Sequence, residues 1–199
     1  MAEGGGAGAG EGGRPGRDAG GDAGAGSDAI VVGLGSNVEP ERHLLEAIRL
    51  LGERAEVVAV SSAWATAPVG PAGQPPFLNA AVQLRTPLPP LRVKPELLRP
   101  VEAAMGRVRT ADRFAPRPID LDFVAWGGGE LRELGLELPD PDLLRHAHVA
   151  LPAADVAPGW RHPRTGETLA VIAERLVGAL APAARPRRLD LDLRGGRNS

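Results

Sequence analysis

Two aspartates separated by one residue, Asp120 and Asp122 in Ile119-Asp120-Leu121-Asp122-Phe123, carry the sharpest chemical signal in the chain. In a strand, the period of two sends Ile119, Leu121 and Phe123 to a core face and both carboxylates to the other. Like charges held this way repel unless a cation bridges them, and hard oxygen donors on rigid backbone suit Mg²⁺ bound jointly with substrate phosphates. Taken alone, Asp-x-Asp is more often a solvated polar strand face. Just upstream, Arg107, Arg109, Arg113 and Arg117 fall within eleven residues against one acid, Asp112. Guanidiniums offer forked donors to phosphate oxygens, so a cationic loop beside a carboxylate strand has the parts of a metal-nucleotide site. The plainer alternative is a solvated arginine loop in an arginine-rich protein. Phe77 and Asn79 sit at alternate positions of another strand, where a ring for stacking and an amide with paired donor and acceptor suit a flat heterocycle; singly, each also fits packing and capping.

Several classes of chemistry are excluded. No Gly-x-x-x-x-Gly-Lys-Ser/Thr loop occurs, and Lys94, the single lysine, lies outside any glycine loop, which rules out a Walker-type phosphate site. The absence of cysteine removes thiolate zinc sites, disulfides and cysteine nucleophiles. His43, His146, His148 and His162 lack the H-E-x-x-H spacing of zinc hydrolases. A net charge of −2 gives no general attraction to nucleic acid or anionic membrane. No apolar run reaches the roughly 18–20 residues of a membrane span, so a soluble cytoplasmic protein is expected.

The elements that must position these residues follow from periodicity. Residues 1–28 hold 12 of the 27 glycines and nothing that can bury a core, and are expected to be a disordered tail. Ile30 to Leu34 reads as a strand ending in a turn at Gly35-Ser36-Asn37. A helix from Pro40 to about Arg54 follows, with Leu44, Leu45, Ile48 and Leu51 on one face. Glu56–Thr66 and Phe77–Thr86 read as strands around a Pro-rich loop. Leu97 to Met105 has helical spacing, but Pro95 and Pro100 predict a kink or a late start. Ile119–Trp126 is a strand, Gly127-Gly128-Gly129 a turn into a short strand near 131–134, and Leu169–Leu180 a final helix. The order β-α-β-β-α-β is that of α+β ferredoxin-like folds. Residues 29–180 form the expected domain, and 181–199 a frayed C-terminal tail.

Longer motifs carry a family resemblance: Leu34-Gly35-Ser36-Asn37, Thr66-Ala67-Pro68-Val69-Gly70, Gln74 through Val82, and Gly106-Arg107-Val108-Arg109 through Pro116-Arg117-Pro118-Ile119-Asp120-Leu121-Asp122. The chain resembles the 6-hydroxymethyl-7,8-dihydropterin pyrophosphokinases of folate biosynthesis, from about Ile30 to Ile172. That resemblance implies pyrophosphate transfer from ATP, as co-substrate, to a pterin alcohol, on a mainly antiparallel sheet with helices on both sides; a monomer is expected. It implies two Mg²⁺ ions held by Asp120 and Asp122. ATP contacts are implied for Gln74, Glu102, Arg109 and Arg117, and a mobile catalytic loop carrying Arg107 and Arg113. The implied pterin pocket is Thr66, Pro68, Phe77, Asn79 and Phe114, with Phe114 standing where tryptophan is usual, and Asp120 reaching the substrate as well. Downstream the chain departs from the family pattern. Asp140 replaces an ATP-contacting histidine, His146 an arginine, and His148 the pterin-stacking phenylalanine. An acid near a triphosphate should repel it, which leaves a pterin- or nucleotide-binding module without turnover as the alternative reading.

Overall fold

The computed structural model describes residues 28–66, 76–107 and 117–194. Strand β1 (Ala29–Ser36) leads into helix α1 (Pro40–Gly52), whose first turn accepts Pro40 because the amide it lacks would have had no intrahelical partner. Strands β2 (Glu56–Val60) and β3 (Ala63–Thr66) together occupy the stretch expected as one strand. They break at Ser61, whose hydroxyl donates to the Ser62 carbonyl at 2.7 Å and accepts the Ala81 N–H at 2.8 Å. Strand β4 (Phe77–Arg85) returns antiparallel beside β1, with Gly35 opposite Asn79 and Ser36 opposite Leu78.

The helical connection to β5 (Asp120–Trp126) begins earlier than the sequence suggests and is tripartite: α2 (Pro90–Val93), a π-helical turn Lys94–Leu98, and α3 (Arg99–Ala104). Pro95 and Pro100 cannot donate backbone hydrogen bonds. The Arg99 N–H reaches back five residues to the Lys94 carbonyl, and the helix continues instead of stopping. The hairpin β6 (Leu131–Glu133) and β7 (Leu136–Leu138) then leads through a 3₁₀ turn, Pro141–Leu144, to helices α4 (Ala147–Val156) and α5 (Leu169–Gly178).

The main sheet runs β5-β1-β4-β3, with β2 also on β4 and every described pairing antiparallel, which is the expected ferredoxin-like order. One expectation is overturned. Residues 181–194 are not a frayed tail, because β8 (Arg187–Leu189) adds a strand to β3 and Leu193 is 2% exposed. In Leu189-Asp190-Leu191-Asp192-Leu193 the leucines alternate with acids, and all three pack on the main core.

Period two sorts the sheet into two layers. Ile30, Val32 and Leu34 face α1 and the α2–α3 connection through Leu44, Leu51, Leu97 and Val101. Val31, Ala81 and Val124 face α4 and α5 through Ala150, Ala153 and Ile172. A bulge at Val124 lets Val124 and Ala125 both turn to the α4–α5 side while Phe123 stays in the main core. No helix among the described residues is long and apolar enough to cross a membrane.

Candidate active site

The α4–α5 face of the sheet becomes poor in side chains toward one end. Gly33 pairs with Asp122 and Gly35 with Asp120 on one flank, and Gly35 pairs with Asn79 on the other. A methyl group on Gly35 would meet Asn79 Oδ1 at 3.6 Å and Phe77 Cδ1 at 4.0 Å, so the bare backbone there leaves a floor between carboxylates and amide. With strands spaced about 4.8 Å apart, Asp120 and Asn79 lie about 10 Å from each other across Gly35. Ile119, Leu121 and Phe123 are buried in the main core, as period two requires, and the two aspartates point to the other face.

Asp120 is the hub of the charged flank. One carboxylate oxygen pairs with Arg107 and the other with Arg117. Arg107 also pairs with Glu102 of α3, which is 3% exposed and whose Oε1 accepts the Leu121 N–H at 3.1 Å. Arg117 is tied in at its backbone: its N–H donates to Asn37 Oδ1 at 2.8 Å, and its carbonyl accepts the Asn37 N–H at 3.4 Å. Asp122 keeps contact with solvent, yet protein surrounds it enough to withhold part of its hydration. That desolvation, followed by the negative charges of Asp120 and Asp140, pushes its pKa up to about 6 against the pull of Lys94 and Arg107. No cluster of three or more His, Asp or Glu side chains suited to a metal occurs among the described residues, so an ion here would draw its other ligands from substrate and water.

The opposite flank is amide and hydroxyl. Asn79 Nδ2 donates to Thr66 Oγ1 at 2.9 Å and lies 3.5 Å from the Trp64 carbonyl, which fixes the amide's orientation. Thr66 pairs across the strands with Phe77, and the half-buried Phe77 ring lies beside Gly35. Pro68, Gln74, Arg109, Arg113 and Phe114 lie outside the described residues.

Beyond β7, Asp140 caps the 3₁₀ turn by accepting the Asp142 N–H at 2.9 Å, and its own N–H donates to the Val124 carbonyl at 2.8 Å. The turn therefore runs alongside β5. Burial raises the Asp140 pKa, the Asp142 amide opposes that, and the Asp142 charge adds to it. His146 and His148 stack with ring centroids 5.2 Å apart. Burial and then the His146 charge lower the His148 pKa, which favours the neutral ring. In the sequence Asn37 stands in a tight turn and in the first of the family motifs, with no site role attached to it. Its partner Arg117 is 80 positions away, so the tight-turn chemistry of Gly-Ser-Asn was visible and its contact was not.

Known proteins are similar to this chain in sequence and in fold. The family model for 7,8-dihydro-6-hydroxymethylpterin-pyrophosphokinase matches residues 31–158. A 2-amino-4-hydroxy-6-hydroxymethyldihydropteridine pyrophosphokinase from Synechocystis is 36% identical over 152 residues, covering 73% of this chain and 75% of its own length. The protein of the same name from Pseudomonas aeruginosa is 37% identical over 137 residues, covering 67% and 83%. Among solved structures, wild-type Plasmodium falciparum HPPK-DHPS with SDX-DHP superposes with a TM-score of 0.59 at 12% identity, a likeness of fold. It covers 79% of this chain, which spans 46% of that longer one.

Proposed function

Since the chain belongs to the 7,8-dihydro-6-hydroxymethylpterin-pyrophosphokinase family, we propose how its own residues transfer pyrophosphate from ATP to the hydroxymethyl group of 6-hydroxymethyl-7,8-dihydropterin, the folate-biosynthetic reaction that releases AMP. The observation that carries the assignment is Asp120, gripped by two arginines beside Asp122 and one glycine-floored strand away from the Asn79–Thr66 pair.

The donor set fits Mg²⁺. Two hard carboxylates share a strand face, and the repulsion that adds to desolvation in raising Asp122 is what a dication would relieve. Two such ions, held by Asp120 and Asp122 with the triphosphate, would neutralise charge and acidify the attacking hydroxyl. Arg107 and Arg117 exchange carboxylate oxygens for phosphate oxygens through their forked donors, and Arg109 and Arg113 add further donors to the triphosphate. Gln74 and the His146 region complete the nucleotide contacts, and Glu102 belongs to the wall behind them. Asn79 and Thr66 hold the polar edge of the pterin, while Phe77, Pro68, Phe114 and His148 enclose its faces. The hydroxymethyl oxygen then bonds to the β-phosphorus, the bond from that phosphorus to the α,β-bridging oxygen breaks, AMP departs, and the hydroxyl proton leaves to solvent. Alignment and charge neutralisation supply the rate, as phosphoryl-group transfer requires.

The catalytic unit runs from residue 29 through 194, since β8 and Leu193 complete its sheet and core, and acts as a cytoplasmic monomer on these two small molecules; the charge of −2 supports the absence of nucleic-acid or membrane partners. Single-turnover AMP formation across a Mg²⁺ titration tests the assignment. Asp120→Ala and Asp122→Ala are expected to lose at least about 100-fold, by analogy with removal of charge-stabilising groups elsewhere. Turnover like the wild type in either variant overturns the metal role, and a binding module without turnover would produce no AMP even in the unaltered protein.

A further inference from the structure

Arg107 and Arg117 are each delivered to Asp120 by a buried polar side chain outside the aspartate-arginine motif. Glu102, in α3, faces two ways at once: Oε1 accepts the Leu121 N–H of β5 at 3.1 Å, and the same carboxylate pairs with the Arg107 guanidinium. The Arg107 N–H donates to the Glu102 carbonyl at 3.0 Å, so backbone and side chain of Arg107 are both referred to one residue. Asn37, at the end of the β1–α1 turn, does the equivalent for Arg117 through the reciprocal pair at 2.8 and 3.4 Å. Asn37 is 4% exposed, and Glu102 3%.

Both placements run against ordinary economy. A carboxylate removed from water is tolerated only when paired, and an amide whose Nδ2 is buried without a partner, as at Asn37, costs about 1–3 kcal/mol. An apolar residue at either position would fill the wall without these penalties. What it could not do is fix the origin of an arginine side chain, and a misplacement of about 1 Å is enough to cost a reaction about 100-fold.

We propose that Asn37 and Glu102 are positioning residues that set Arg117 and Arg107 at opposite sides of Asp120, so that both guanidiniums converge where the triphosphate is handled. This rests on the arginine roles given above. Neither residue then needs to touch ATP, and Glu102 in particular acts through Arg107 instead of binding nucleotide itself.

Two double-mutant cycles read by single-turnover AMP formation test this, with turnover normalised to the folded fraction from circular dichroism so that poorly folding variants still report. Glu102→Gln preserves an oxygen acceptor for the Leu121 N–H and removes the charge that holds Arg107; Asn37→Ala removes the acceptor of the Arg117 N–H and leaves only the longer backbone bond to its carbonyl. Each is expected to lower the rate about 10- to 100-fold while leaving the dissociation constant of a non-hydrolysable ATP analogue within about threefold. In the Arg107→Ala background Glu102→Gln should cost no further rate, and in the Arg117→Ala background neither should Asn37→Ala. Losses that multiply with those of the arginine variants, or a Glu102→Gln effect confined to analogue affinity, overturn the positioning role. Wild-type turnover in Arg107→Ala and Arg117→Ala overturns the arginine assignment itself, and the positioning role falls with it.

Discussion

Asp122 carries a cost in the ligand-free protein that a bound dication would relieve. An ordinary aspartate titrates near 3.8, and here the value is about 6, so the folded protein holds this proton more tightly than the unfolded chain does. With divalent ions chelated, stability therefore falls as pH rises from about 4 through about 6, and the full penalty persists above that window. Asp122→Asn should remove this slope and, at pH 7, raise the melting temperature by about 2–4 °C, which corresponds to about 1 kcal/mol once solvent screening of an open carboxylate is allowed for. Thermal melts in chelator from pH 4 to 8 check it; an unchanged slope in the variant shows that a group other than Asp122 carries the pH dependence. Asp140 extends the same logic. Its charge reaches Asp122, so Asp140→His should tighten Mg-ATP binding by severalfold in calorimetry while leaving pterin affinity alone, whereas flat or weaker nucleotide binding would show that the carboxylate acts only as the cap of its turn. At this scale the sequence was informative wherever chemistry follows local spacing. Asp120 and Asp122 share a face because a strand alternates, and Phe77 and Asn79 do for the same reason. Asn37 is not legible as a positioning group because its partner Arg117 lies 80 positions away, and Glu102 is not because its pairing with Arg107 gains its meaning only from the anchor on the Leu121 N–H of β5, which local spacing does not encode.

Among the elements, the two prolines of the second helical segment were legible as an interruption, but its form was not. A missing amide can end a helix, bend it or widen one turn; packing decides, and here Val93, Leu97, Leu98 and Val101 keep a continuous buried face across the π turn. The C-terminal strand is hidden in the sequence for a different reason. Arginines and glycines around it match the composition of a frayed end, and they concealed the alternation of Leu189, Leu191 and Leu193 with Asp190 and Asp192, a period-two signal that marks one buried face. Leu193→Ala should accordingly destabilise the protein by about 2–4 kcal/mol, the usual cost of emptying a buried leucine site. Denaturant unfolding monitored by fluorescence measures this, and a change below about 0.5 kcal/mol would mean that the segment lies on the surface without contributing to the core.

The molecule as a whole joins two hydrophobic layers through one sheet, and the α4–α5 layer gives way to glycine and polar groups where the strands reach the site. That overall order was readable from the alternation of strand and helix periods. The first 28 residues hold 12 glycines and, Met1 aside, no aliphatic side chain larger than alanine, so a chain starting at Ala29 should match the full chain in turnover and melting temperature, and a tenfold loss of rate would assign that segment a part in catalysis. Both borders of the sheet are closed differently. Along β5 the Asp140 amide takes up the Val124 carbonyl, while beyond β3 the sheet ends in a strand of three residues bearing Arg187 and Arg188, followed by Asp190 and Asp192. A strand so short and so charged offers a second molecule little backbone to pair with and a repulsive margin against trying. Without it, Ala63-Trp64-Ala65-Thr66 would present an open ladder of amides and carbonyls. The final strand is thus also a colloidal safeguard, and a chain ending at Leu180 should scatter light at concentrations where the full-length protein stays clear.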